Sequence, residues 1–224
     1  MNPSRWSRAQ TRFLSICVAF CSTFSAGAGI LFAQEKPTFA KWEKEIAAFE
    51  RQDKEKAPPR EGIVFVGSST IRFWDLQKSF PELNALNRGF GGSQLADSVH
   101  FAPRIVLKYE PRVVVLYAGD NDLAGHKTPE QVFTDFQAFA TLIHKELPKT
   151  KLIYISIKPS VKRWSIWDQA QKTNALIEAY CKQDQRCVYV DVAPVILGKD
   201  GKPQADLFIK DGLHLNEKGY ALVA

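Results

Sequence analysis

The chain has 224 residues, enough for one domain with a substantial core, and its 45% hydrophobic content excludes a disordered protein. The formal charge is +6, and half of that excess sits on Arg5, Arg8 and Arg12. What remains is too mild and too dispersed for a nucleic-acid partner.

Residues 1–33 carry those three arginines and no acid. An uncharged run rich in small residues follows over 13–33, which is the pattern of an export signal. Cleavage is expected near Ala28 or Ala33, giving a secreted or periplasmic product. The alternative is an uncleaved membrane anchor, since the run is long enough to span a bilayer. In an oxidising compartment Cys181 and Cys187 are close enough in sequence for a disulfide. The other option is two buried thiols.

Residues 34–60 read as an N-terminal helix and linker, ahead of a single domain over 61–224. Phe39, Trp42, Ile46 and Phe49 recur at spacings of three and four, so they share one helical face. A strand is expected over 63–66, followed by Gly67-Ser68-Ser69 and a helical turn or two with Ile71, Phe73 and Trp74 packed downward. A short strand over 85–88 runs into the glycine-rich turn 89–92. Ser93 then caps a helix reaching Lys108 and kinked at Pro103. The β-branched run 113–117 is the strongest strand. Thr128 caps a helix that Pro129 opens and that extends to Leu147. Further strands are expected over 152–157 and 188–192, with a helix over 167–181 between them. Asn216 caps a last helix, which reads as short for a full domain, as in a truncated chain. Alternation of strands and helices implies βαβ units and a parallel sheet.

In such a sheet the carboxyl ends of the strands share one edge, and the loops there carry the chemistry. Four of these loops are rich in polar residues or glycine. Ser69 is the first candidate nucleophile. His214 has Asp211 three residues before it, close enough for the carboxylate to fix the imidazole tautomer and stabilise the imidazolium. By itself that pair is as readily a surface ion pair. Asn121 follows the most buried strand and can donate from its amide. Gly92 has no side chain to keep a substrate from its N–H. Either could equally be an ordinary turn residue. With the Ser69 N–H they would form a three-donor oxyanion hole. Histidines and cysteines lack metal-ligand spacing, so neither metal nor cofactor is expected. The Gly-x-Ser-x-Gly elbow, the P-loop and the dinucleotide fingerprint are all absent.

The four loops resemble the four blocks of the SGNH (GDSL-type) hydrolases. Phe65-Val66-Gly67-Ser68-Ser69 is similar to the first, and places the nucleophile on Ser69. Asn87-Arg88-Gly89-Phe90-Gly91-Gly92 is similar to the second, with its oxyanion glycine at Gly92. Gly119-Asp120-Asn121-Asp122 is similar to the third, and Asp211-Gly212-Leu213-His214 to the last. The aspartate usual before the serine is Ser68 here. The resemblance implies an α/β fold of three layers, α/β/α and flavodoxin-like, with a five-stranded parallel sheet. It implies a metal-independent serine esterase or lipase acting on a small-molecule ester, such as an acylated carbohydrate or lipid. The nearest branch contains the platelet-activating-factor acetylhydrolase catalytic subunits and bacterial carbohydrate esterases.

The loop with Lys158, Arg163, Trp164 and Trp167 is expected to border the pocket, offering aromatic faces and a cation to a sugar or an anionic group. Core or lid packing is the competing role for these residues. The competing class of function is a non-catalytic carbohydrate-binding module on the same fold. A phosphate-binding flavodoxin-like protein fits least, because no hydroxyl-rich phosphate loop is present.

Overall fold

The computed structural model describes residues 39–58 and 60–224. The expected export signal lies outside the described residues. A 3₁₀ turn at Phe39–Trp42 leads into α1 (Glu43–Glu55). Then follow β1 (Ile63–Gly67), α2 (Ser69–Arg72), α3 (Leu76–Ser79), β2 (Ala85–Gly89) and α4 (Leu95–Ile105). Next come β3 (Val113–Tyr117), α5 (Asp120–Ala124), α6 (Pro129–Glu146) and β4 (Lys151–Ile155). The chain closes with α7 (Trp167–Cys181), β5 (Cys187–Val190), α8 (Ala193–Ile196) and α9 (Glu217–Val223).

The five strands form one parallel sheet in the order β2-β1-β3-β4-β5. Alternation along each strand divides the apolar residues between two layers. Val64, Val66, Val114, Leu116, Leu152 and Tyr154 join the core on one face with residues of α1, α4, α6 and α7. Phe65, Val115, Tyr117 and Ile155 join the core on the other with residues of α2, α3, α8 and α9. The result is the expected α/β/α sandwich. The central strands β1 and β3 need no polar face because both of their faces are covered, whereas the edge strand β5 leaves Val188 and Val190 exposed.

The chain leaves β1 toward β2 on one side and returns to β3 on the other. The β1/β3 boundary is therefore the switch point of the sheet, where the ends of neighbouring strands leave a crevice. Gly67 ends β1 at φ +134°, and a Cβ there would lie 1.9 Å from the Tyr117 carbonyl oxygen of β3. No other residue fits so close to the neighbouring strand.

Several local expectations need correction. Ser93 does not cap α4. Gln94 does, in a reciprocal capping box with Asp97, and the buried Ser93 hydroxyl has no hydrogen-bond partner among the described residues. That helix ends at Ile105, two residues past Pro103, and the chain passes into a 3₁₀ turn at Leu107–Tyr109. β4 stops at Ile155 rather than Ile157, because Asn174 of α7 bonds both the N–H and the carbonyl of Ile157. β5 begins at Cys187 and ends at Val190. Residues 120–124, to which no element was assigned from sequence, form helix α5, and residues 76–79 form α3 with Asp75 as its cap. Phe73 does not pack downward with Ile71 and Trp74; it is 53% exposed.

The sulfurs of Cys181 and Cys187 face each other at the junction of α7 and β5, with Cα atoms 4.8 Å apart. Among the described residues no helix is long and apolar enough to cross a membrane.

Candidate active site

Ser69 opens α2 directly after β1. Its neighbours Ser68 and Thr70 are buried, while Ser69 is half-exposed, so the turn presents one hydroxyl outward. That hydroxyl lies 2.8 Å from Nε2 of His214. The imidazole Nδ1 lies 2.5 Å from Oδ2 of Asp211. The structure thus joins residues 145 positions apart into a hydroxyl–imidazole–carboxylate relay.

The Asp211 loop holds itself in shape. Oδ1 of Asp211 accepts from the backbone N–H of Leu213 at 2.8 Å and of His214 at 3.0 Å. The backbone then folds back, with the Ile209 N–H on the His214 carbonyl at 2.9 Å. Partial burial opposes ionisation of Asp211. The hydrogen bonds from the His214 and Leu213 amides and the His214 ring outweigh it and hold the carboxyl at about 2. The carboxylate is therefore charged wherever the imidazole works. Phe73 meets the imidazole edge-on, with ring centroids 5.0 Å apart. Beside them is a cavity of about 690 Å³ whose wall includes Phe73, Ile209, His214 and Leu215.

The Gly91-Gly92 turn lies against the serine: a Cβ on Gly91 would sit 3.9 Å from Cβ of Ser69. Gly92 has φ +79°, and a Cβ on it would come within 3.3 Å of the Trp42 ring. Trp42 also packs edge-on against Phe90, so the N-terminal segment supports this turn. Sequence reading placed Trp42 on an apolar helix face, and nothing local in the sequence ties it to residue 92.

Asn121 sits in the first turn of α5. Its Nδ2 donates to the Ser93 carbonyl at 2.9 Å, and its Oδ1 accepts from Arg163 at 2.7 Å. The next residue, Asp122, is fully buried and accepts the Leu95 N–H at 3.1 Å and the Lys127 ammonium at 2.8 Å. The loops after β2 and β3 are thus tied together twice.

Arg163 was expected to offer its cation to a substrate. Instead it is 2.9 Å from Asp120 Oδ2 and bonds Asn121. Trp167 is buried in the core on the α1/α4 face, and Trp164 stacks on it at 6.2 Å, so Trp167 offers no free face to a sugar. Lys158 is also buried. Its ammonium meets the hydroxyls of Tyr117 at 3.1 Å and Thr70 at 3.2 Å, and burial lowers its pKa. Sequence reading missed Asp120, which partners Arg163 from within the third block. Away from the site, the buried His144 ring has Asp184 3.5 Å from Nδ1. Among the described residues no group of three or more His, Cys, Asp or Glu side chains could hold a metal ion.

A model of the GDSL-like lipase/acylhydrolase family matches residues 70–222, from the residue after Ser69 to beyond His214. No curated protein matches the chain. Among solved structures, a Streptococcus pneumoniae protein named for platelet activating factor is 20% identical with a TM-score of 0.73, over 83% of this chain and 90% of that one. A GDSL-like lipase from Bacteroides thetaiotaomicron is 24% identical with a TM-score of 0.64, over 83% and 92%. A catalytic mutant of an acetylxylan esterase from Geobacillus stearothermophilus is 15% identical with a TM-score of 0.59, over 75% and 93%. At these identities the likeness to the three structures is one of fold.

Proposed function

The chain belongs to the GDSL-like lipase/acylhydrolase family, and from that membership we propose that it is an exported serine esterase that removes short acyl groups through an acyl-Ser69 intermediate. The observation that carries the proposal is the relay of Ser69, His214 and Asp211, with its 2.8 Å and 2.5 Å contacts.

In this reading Ser69 Oγ attacks the ester carbonyl while His214 Nε2 takes its proton. Asp211 keeps the imidazole in the tautomer that can accept, and stabilises the resulting cation. The carbonyl oxygen becomes an oxyanion facing the N–H groups of Ser69 and Gly92 and the Asn121 amide. The tetrahedral adduct collapses as His214 protonates the leaving alcohol. A water, deprotonated by the same imidazole, then releases the carboxylic acid and restores Ser69. The apolar part of the ester has room in the cavity beside Phe73 and Ile209.

The acetyl group of an acylated carbohydrate is the favoured substrate. The acetylxylan esterase with a similar fold supports it, and the GDSL-like lipase keeps a lipid ester as the other source of the same bond. Export is supported by the arginines and apolar run of residues 1–33, and by the paired cysteines.

Ser69→Ala should cut turnover of an aryl acetate by roughly 10⁴-fold or more and abolish labelling by a fluorophosphonate. Unchanged turnover would sink the assignment, and a wild-type protein that neither turns over nor labels would be a binding module. Rates are expected to fall from acetyl through butyryl to octanoyl esters. A rise along that series would favour a lipid.

A further inference from the structure

An asparagine amide has one donating and one accepting end of nearly the same shape, so its usefulness depends on which way it is held. At Asn121 two contacts demand the same orientation. The Ser93 carbonyl takes a hydrogen from Nδ2 at 2.9 Å, and the Arg163 guanidinium gives one to Oδ1 at 2.7 Å. A flipped amide would set oxygen against the Ser93 carbonyl and hydrogens against the cation. In the observed orientation one N–H of Nδ2 is used by Ser93, and the second has no acceptor among the described residues.

Arg163 is itself held from several sides. Its Nη1 lies 2.9 Å from Asp120, whose side chain is almost wholly buried. The preceding residue, Lys162, donates its backbone N–H to the Gly212 carbonyl in the Asp211–His214 loop at 2.9 Å. The following residue, Trp164, packs on the core and on Trp167. One short loop therefore connects the imidazole loop to the asparagine.

We propose that Arg163 is a positioning residue of the oxyanion hole: it locks the Asn121 amide with its free N–H toward the reacting carbonyl, and Asp120 anchors it there. The cation also polarises the amide, which makes that N–H a stronger donor. The inference rests on the reading of Asn121 as an oxyanion donor and goes beyond it, because it gives the guanidinium no contact with substrate.

The test is steady-state kinetics on a neutral aryl acetate with Arg163→Ala, Asn121→Ala and the double variant, alongside thermal unfolding of each. Asn121→Ala should lower kcat by roughly 10²–10³-fold, the cost of a lost oxyanion donor. Arg163→Ala should lower kcat by roughly 10-fold or more with KM nearly unmoved, as for an interaction made in the transition state. The double variant should be no slower than Asn121→Ala alone, because the two residues act as one. Arg163→Lys, which keeps a donor to Oδ1, should recover part of the loss. Should Arg163→Ala fail to fold, Asp120→Asn loosens the same guanidinium and should lower kcat in the same way. Wild-type kcat in Arg163→Ala, a rise in its KM alone, or losses that multiply in the double variant would each overturn the inference, whereas wild-type kcat in Asn121→Ala would overturn the reading of Asn121 beneath it. Absence of both turnover and fluorophosphonate labelling in the unaltered protein would instead overturn the reading beneath it.

Discussion

Asp211 uses its two oxygens for different tasks, one on the backbone of its own loop and one on the imidazole. The pH profile should register that arrangement. Its carboxyl titrates at about 2, below the ordinary aspartate value of about 4. A group depressed in this way favours the folded state above the unfolded value, and that contribution is lost as pH falls toward about 2. Across the acid limb of kcat/KM, Asp211 therefore stays charged, and the limb should show a single protonation. A second inflection near pH 4, measured with an aryl acetate, would mean that Asp211 titrates with the imidazole. Ser69, Asp211 and His214 were legible as candidates because four strand-end loops together resemble the blocks of one family; taken alone, the Asp211/His214 spacing was as readily a surface ion pair. Arg163, Trp164 and Trp167 were read from residue type as a border of the pocket, with core or lid packing as the competing role. Residue type does not say that Asp120 and Asn121 take up the guanidinium, or that Trp167 is buried.

Between elements, the decisive contacts run across loops. Asp122 in α5 accepts the Leu95 N–H at the start of α4 and pairs with Lys127, which also reaches Asp135 of α6 at 2.7 Å. Just upstream of α4 lies the Gly91-Gly92 turn, and beside Asp122 lies Asn121. One buried carboxylate therefore sets the spacing between the two loops of the candidate oxyanion hole. Asp122→Ala leaves a buried N–H and a half-buried ammonium without this partner, and should destabilise the fold by about 3 kcal/mol in urea unfolding. A loss below about 1 kcal/mol would refute the assigned role. The third block was recognisable in sequence, yet the bond from Asp122 to Leu95 spans 27 residues and has no local signature.

At the scale of the whole molecule, the N-terminal helix is part of the fold and of the site's support. Ile46 is fully buried in the core with α4 and the sheet, and Arg104 of α4 bonds Glu43 and Glu50 across the surface. Inside that frame Arg88 pairs with Asp53, and the Tyr109 hydroxyl donates to the same carboxylate at 2.5 Å. Ile46→Ala should cost about 3 kcal/mol by the transfer and cavity terms. Because α1 follows the turn that carries Trp42 against Gly92, it should also slow ester turnover. Denaturant titration with parallel kinetics checks both effects, and an undiminished midpoint would show that α1 is peripheral.

The sequence by itself determined the parallel sheet, and its resemblance to the four blocks of one family implied the three layers and pointed to Ser69, Asp211 and His214 as candidates. Apolar runs of four or five residues between helical patterns admit few other arrangements, and the strand-end loops of a parallel sheet must share an edge. It also marked Thr128 and Asn216 as caps, since capping depends on neighbours within one turn. Only the tertiary structure decided that Asn174 ends β4, that Trp42 backs Gly92, and that Arg163 faces Asn121. Each of these is a choice among partners brought together from far along the chain. Such choices follow from packing geometry, and local periodicity carries no record of them.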